Sequence, residues 1–326
     1  MQVQAVTKKR TDVQVTAGID VGKDWLDVYV HPVGAALRVA NSESGFGELK
    51  RFLLKHKVDL VAIEPTGRYH RAVQASLTLA GLAVAVVNPY QLRCFARANQ
   101  ILAKNDRLDA RVLALFAMAM KPDVRPPAPE VLIELGELMR ARMTAVAELT
   151  SLKNQMGSAT IKFLASQFKR RIDRLKADIQ ALDNEIQKRI GADPSLARRF
   201  EILRSIPGVG PTTAATLIVS LSELGTLTPK SVAKILGVAP LDRDSGKMQG
   251  RRTCWGGRAE VRKIVYMAAV SASKFNPSLK AYFERLMKNG KAFKQAIVAV
   301  IRKLAILANT LITQDRLWQI EAPKQA

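Results

Sequence analysis

Cysteine is nearly missing from these 326 residues: Cys94 and Cys254 are the only two, and they match neither a disulfide pair nor a metal-ligand spacing. That excludes a disulfide-stapled scaffold and suits a reducing cytoplasm. Acidic residues are also scarce, 28 against 51 Lys and Arg, for a net charge of +23 and a pI near 10.3. Such an excess fits a polyanionic partner, either nucleic acid or an anionic membrane. The sequence argues against the membrane, because its most apolar late stretch, Ala296 to Ile312, is interrupted by Arg302 and Lys303. Nor does an apolar core follow Lys8, Lys9 and Arg10, as a secretory signal would require. With 48% hydrophobic and 24% charged residues, the chain can bury a core, and its length allows two domains or one with an insertion.

The few acids are not scattered evenly. Asp20 lies in Gly-Ile-Asp-Val-Gly, Glu64 in Ile-Glu-Pro-Thr-Gly, and Asp106 and Asp109 in Lys-Asn-Asp-Arg-Leu-Asp-Ala-Arg. The first two close apolar runs, Val13 to Ile19 and Val58 to Ile63, that read as buried strands. A carboxylate at the end of a buried strand is costly unless it is neutralised, and a divalent cation is the usual partner. Asp106 and Asp109 stand three apart at the start of a helical stretch and so point the same way. Gathered together, four acids would repel and raise one another's pKa unless Mg²⁺ or Mn²⁺ neutralised them. In so basic a chain, this pattern points to metal-assisted chemistry on a phosphate backbone.

Residues 13–121 alternate strand and helix signals. Val13–Val21, Trp25–Val30 and Leu37–Ala40 read as strands, Gly45–His56 as a helix, Val58–Glu64 as a strand, Tyr69–Ala80 as a helix and Ala83–Asn88 as a strand. Helices over Tyr90–Ala98 and Arg107–Met120 complete the block. Three strands followed by alternating helix and strand describe a mixed sheet covered on both faces. The order is similar to the RNase H-like fold, in which acids from the first and fourth strands and a late helix meet at one metal site. Prolines at 122, 126, 127 and 129 mark a boundary. Residues 130–190 lack proline and read as helical, with Phe168, Ile172, Leu175, Ile179, Leu182 and Ile186 spaced as an a/d seam. The seam is expected to form an intermolecular coiled coil, with a helical hairpin within one chain as the alternative. A third segment, 196–312, opens with Ile-Pro-Gly-Val-Gly-Pro over 206–211, the pattern of a helix-hairpin-helix whose second N-terminus suits a backbone phosphate.

Leu241 to Lys263 carries seven basic residues, three acids and four glycines, as a loop able to lie close to a nucleic-acid backbone. Ser245 sits near its head between Asp244 and Gly246; taken alone, such a serine reads as a turn residue. Trp255 fits either a core cap or a base stack. Lys104, Arg107, Arg111, Arg251, Arg252 and Arg258 are candidates for phosphate contacts, each weighed against the plain alternative of a solvated surface charge.

Taken in order, these motifs resemble the DEDD transposases of one insertion-sequence family, the RNA-guided bridge recombinases. The likeness runs from about Ala17 to Leu307. It implies a RuvC-like domain (13–121), a coiled-coil segment (130–190) and a helical C-terminal transposase domain (196–312). It further implies Asp20, Glu64, Asp106 and Asp109 as ligands of Mg²⁺ or Mn²⁺, and Ser245 as a nucleophile that forms a phosphoserine link. Donor and target DNA, a structured guide RNA and a dimer assembling to a tetramer would be its partners, in the prokaryotic cytoplasm. Thr253 to Ala259 differs from the Ser-Lys-x-Gly of other members, as in a subgroup variant. Two rivals stand beside this reading. One is a junction resolvase or nuclease whose acids activate water and whose Ser245 is incidental; the other is an actin-like kinase, for which Gly18 to Lys23 would be a first phosphate loop without a second.

Overall fold

The computed structural model describes residues 13–320 apart from 102, 104, 243, 244, 246–249 and 251. The chain divides into two compact units, one ending at Ala128 and the other starting at Pro129.

In the first unit, β1 (Thr16–Val21), β2 (Trp25–His31) and β3 (Ala35–Ala40) precede α1 (Glu43–Lys55), β4 (Leu60–Ile63), α2 (His70–Leu79), β5 (Val84–Val86), α3 (Pro89–Ala98) and α4 (Asp106–Met120). These are the elements the sequence predicts, with ends moved by up to three residues. The sheet order is β3-β2-β1-β4-β5. β1, β2 and β3 form an antiparallel meander, and β4 and β5 continue it in parallel with β1. Side-chain alternation divides the apolar residues between the two faces. Ala17, Ile19, Val61 and Ile63 join Phe46, Leu49, Leu53, Val73 and Leu77 of α1 and α2. Leu60 and Ala62 join Leu113, Phe116 and Ala117 of α4. α4 lies unusually close to β1. A Cβ on Gly18 would stand 2.0 Å from the Ala110 carbonyl oxygen, and Thr16 Oγ1 donates to the Ala114 carbonyl at 2.8 Å.

The second unit is mainly helical: α5 (Glu130–Ser158), α6 (Lys162–Ala192), α7 (Pro194–Ser205), α8 (Pro211–Ser220), α9 (Pro229–Ile235), the short ribbon β6 (Pro240–Leu241) with β7 (Thr253–Cys254), then α10 (Ala259–Phe275), α11 (Pro277–Lys288) and α12 (Phe293–Thr313). Proline opens α7, α8, α9 and α11, where its missing N–H costs nothing and its fixed φ suits a first turn. α7 and α8 form the expected helical pair around a tight turn. Its first glycine, Gly208 (φ +99°), lies against the α10 backbone at Ala272, so packing explains that glycine. On length and composition alone α12 could cross a membrane, despite Arg302 and Lys303. Its Ile297, Val300, Ile301, Leu304 and Leu311 are instead buried in the core of this unit.

The a/d seam departs from expectation. It packs against α5 of the same chain, and ion pairs tie the two helices in antiparallel order: Arg142 to Asp183 at 2.5 Å, Arg171 to Glu148 at 3.6 Å, and Arg189 to Glu134. Ile172 and Ile186 are buried, and the other seam residues are half-buried. Within one chain the seam is therefore the spine of a helical hairpin, the alternative reading of the sequence, with α5 facing it. A narrow stripe suffices because α5 supplies the facing stripe, with Leu135, Met139 and Leu152 buried. Ile172→Lys should accordingly lower stability by roughly 2–4 kcal/mol. Because the packing is intramolecular, the drop in melting temperature should be the same at low and high protein concentration. A loss that shrinks as concentration rises would return the seam to a subunit interface.

Candidate active site

The register of the sheet brings four charged residues into one row. Asp20 on β1 pairs with Asp27 on β2, and Asp27 pairs with Arg38 on β3. On the other side Ile19 pairs with Ile63, so Glu64 follows one residue beyond, next to Asp20. The period of two then fixes the face. Gly18 lies against α4, so Asp20, two residues on, stands on that face; Glu64 follows Leu60 and Ala62 onto it. Above them is the first turn of α4, which carries Asp106 and Asp109. Asn105 holds that turn by accepting from the Leu108 N–H at 2.9 Å, and acids in a first turn are favoured by the helix dipole.

Asp20 is the acid on which this surrounding tells. Burial, then the charges of Asp109, Asp106, Glu64 and Asp27, push the Asp20 carboxyl from 3.8 up to about 6. The donors are all hard oxygens, which suits Mg²⁺ or Mn²⁺, and the repulsion that raises Asp20 is what a bound cation relieves. The residues fit such an ion in kind. Among the described residues, however, no three acidic, imidazole or thiol side chains stand close enough to hold a metal as placed. Like charges resist closer approach, and Asp106 is drawn to Arg38 at 3.3 Å.

Asp27 and Arg38 stand beside these acids on the same row, and no sequence motif marks them. Arg38 grips Asp27 with two parallel bonds, Nε to Oδ1 at 2.9 Å and Nη2 to Oδ2 at 2.7 Å. The Asp27 side chain is 8% exposed. Both were legible in principle: Leu26, Val28 and Val30 are buried on one side of β2, which leaves Asp27 on the acid-bearing face.

Ser245 belongs to the second unit. It is exposed and lies in the connection between β6 and β7, several residues of which, Asp244 and Gly246 included, are outside the described set. The base of this connection is locked. A Cβ on Gly257 (φ +67°) would stand 2.2 Å from the Gly237 nitrogen, and Arg262 Nη1 donates to the carbonyls of Leu236 and Gly256 at 2.9 and 2.6 Å. Arg258 is spent here too. It makes a forked pair with Glu223 at 2.7 and 3.0 Å and donates to the Ser220 carbonyl, so a phosphate contact would require it to give up structural bonds. Arg252 pairs with Asp242 at 2.6 Å on the surface. Arg107 and Arg111 are exposed on α4, and Trp255 is 66% exposed, which removes the core-cap reading. Lys104 and Arg251 lie outside the described residues.

Residues 17–162 match a family model for DEDD transposases of the IS110 type, and residues 200–284 match one described as transposase IS116/IS110/IS902 family. The pilin gene-inverting proteins of Moraxella bovis and Moraxella lacunata are each 27% identical over 309 residues, covering 92% of this chain and 96% of theirs. An uncharacterized protein of insertion element IS110 from Streptomyces coelicolor is 24% identical over 203 residues, 61% of this chain and 48% of its own length. Among solved structures, T. thermophilus RuvC in complex with a Holliday junction substrate aligns over 33% of this chain and 95% of its own, with 19% identity and a TM-score of 0.27.

The raised Asp20 pKa sets a pH test. Between the unfolded value, near 3.8, and the folded value, about 6, the folded chain holds more protons than the unfolded one, so this group's contribution to stability falls as pH rises through that window. Asp20→Asn removes the strained charge. Without divalent metal it should melt higher than the parent at pH 7, and the gain should fade towards pH 4, as measured by thermal unfolding in EDTA. Mg²⁺ should raise the melting temperature of the parent and leave the variant nearly unchanged. A variant less stable than the parent at pH 7 would show that Asp20 carries no such strain.

Proposed function

Because this chain belongs to the IS110 family of transposases, and is therefore a DNA transposase, we propose that it excises and inserts a mobile element under the guidance of a structured RNA, through a serine nucleophile. The observation that carries the chemical part is the placement of Asp20 on β1, Glu64 just after β4, and Asp106 and Asp109 in the first turn of α4 on one face of the sheet. We read the first unit as an RNase H-like, RuvC-like domain. A three-stranded meander continued by two parallel strands supports that, with acids on β1, after β4 and at the head of the last helix.

Asp20, Glu64, Asp106 and Asp109 would hold Mg²⁺ or Mn²⁺, which when bound supplies Lewis-acid polarisation of a scissile phosphate. The protein supplies the rest. The Ser245 hydroxyl, exposed and so accessible to a backbone phosphate, forms a bond to phosphorus while the strand oxygen leaves with a proton. One phosphodiester is exchanged for one phosphoserine ester, so rejoining to another strand needs no ATP. Guide pairing supplies sequence choice, and the protein holds the duplexes by shape and backbone charge. Lys104, Arg107, Arg111, Arg251 and Arg252 are the proposed phosphate contacts; Arg258 is held by Glu223 and contributes to the scaffold. A dimer assembling to a tetramer, in the cytoplasm, remains the proposed state. Since the seam is occupied by α5, the exposed Ile161, Phe163 and Leu164 beside the α5–α6 turn are better placed to meet another copy.

Incubation with labelled DNA carrying the element's ends separates this reading from a plain nuclease. A covalent protein–DNA adduct should form with the parent, vanish in Ser245→Ala and be lost in Asp20→Asn, Glu64→Gln, Asp106→Asn and Asp109→Asn. Ser245→Ala that still releases free 5′-phosphate ends would identify water as the nucleophile. A Ser245→Ala and Asp20→Asn mixture that regains cleavage would mean that one subunit lends the serine and another the acids.

RNA guidance is tested by what the protein carries. Purified from a host that holds the whole element, it should retain one structured RNA encoded beside its own reading frame. Recombination should be abolished by nuclease removal of that RNA and restored by adding it back. Full activity without RNA would reduce the proposal to an unguided transposase.

A further inference from the structure

The row that ends in Arg38 opens on a cavity of about 210 Å³, walled by Asp20, Asp27, Arg38 and Asp106 and rimmed by Lys23 and Trp25. We propose that this rim holds one unpaired nucleotide of the DNA strand, with its base stacked on Trp25 and its phosphate met by Arg38. The inference rests on the reading of the neighbouring acids as the cleavage site.

Trp25 is 55% exposed. An exposed aromatic residue alone means little, but this one is held on a rigid turn. The Gly22 N–H donates to the Trp25 carbonyl at 2.9 Å, the Asn41 N–H to the Asp24 carbonyl at 2.9 Å, and Asn41 Nδ2 to the Gly22 carbonyl at 2.9 Å. An indole carried on a backbone held this way can stack on a base without first losing backbone freedom.

Arg38 is similarly pre-set. Asp27 takes its Nε and Nη2 donors and Asp106 shares Nη2 at 3.3 Å, whereas its Nη1 makes no hydrogen bond among the described residues. Two N–H groups on a planar, fixed cation match the oxygens of a phosphate. Asp27, with both oxygens engaged by Arg38, is thus a positioning residue for that guanidinium. Lys23 and Arg38 offset part of the charge of the four acids that line the cavity, Asp20, Asp24, Asp27 and Asp106, and a cation at the neighbouring acids would offset more of it.

Size and geometry narrow the ligand. The cavity is smaller than the roughly 300–1,000 Å³ of free small-molecule sites, so it suits one segment of a polymer continuing out over the rim. A base within a duplex has both faces covered by its neighbours. An indole stack therefore calls for a nucleotide already unpaired or drawn out of its helix.

The test uses the full chain with Trp255→Phe and Trp318→Phe, so that Trp25 is the one remaining tryptophan of three. Its fluorescence is titrated with a short single-stranded DNA, the same DNA bearing an abasic position at each site in turn, its duplex, and RNA of the same sequence. Single-stranded DNA should quench the signal, whereas the duplex should not, and one abasic position should abolish quenching. Trp25→Ala should weaken single-strand binding about 5- to 150-fold with an unchanged melting temperature, and Trp25→Phe should restore most of the loss. Arg38→Lys should weaken binding of the intact and the abasic strand alike. Quenching by every abasic strand, or parental affinity in Trp25→Ala, would overturn the stack, and tighter binding of the RNA would overturn the choice of DNA. Should the quench hold while no acid variant affects cleavage, the rim site stands and the active-site reading falls; the reverse result sinks the rim site alone.

Discussion

Electrostatic repulsion among carboxylates on one face of the sheet is the constraint around which the first unit is arranged. A chain with so few acids has nonetheless buried Asp20 and placed Asp109, Asp106 and Glu64 where each adds to the cost of charging it. Such a cluster would be selected against if stability were the only criterion, because neutral residues at these positions would fold more easily. Its persistence in a basic chain makes sense if a cation and a polyanion complete it.

The scaffold tolerates that strain because the elements bearing the acids are fixed by other means. α4 is pressed onto β1 at Gly18 and bonded there by Thr16, and its first turn is capped by Asn105. Asp106 and Asp109 therefore cannot relax by letting the helix slide. Asp20 and Glu64 end neighbouring parallel strands whose apolar residues are locked into the layers on either side. Packing energy holds the acids in place, and its cost shows in the pKa of Asp20, raised first by burial and then by the neighbouring carboxylates.

Much of this was legible in the sequence, for identifiable reasons. The strands of the first unit are short and apolar, and they stand between strong turn signals, so their positions followed from period and punctuation. The acids stood out because charge at the end of such a run is unusual. Asp27 and Arg38 did not stand out, because their roles depend on register: only when β2 and β3 are aligned does an ordinary charged pair become a clamp beside Asp20. The seam in α6 shows the same limit from the other side. Its spacing correctly announced a packed helix, but periodicity says nothing about whether the facing stripe lies on another subunit or, as here, on α5. Ser245 was singled out by the family resemblance rather than by local physics, since an exposed serine in a glycine-rich connection has no distinguishing environment of its own.

The contrast between Arg38 and Arg258 shows what decides whether an arginine is scaffold or contact. Both are forked onto a carboxylate. Arg258 spends Nη1 on Ser220 and Glu223, and Nη2 on Glu223 as well, thereby joining α8 to the base of the Ser245 connection. Arg38 uses Nε and Nη2 on Asp27, so its charge is fixed in place while one nitrogen retains its donors. In a site crowded with acids, a guanidinium held this way resists collapse onto Asp20 and Glu64 and stays directed by Asp27. Net charge alone could not distinguish these cases among 51 basic residues. The geometry of the partner carboxylate does: it separates Arg258, whose donors are taken up by Glu223 and Ser220, from Arg38, which keeps one nitrogen free of protein partners among the described residues.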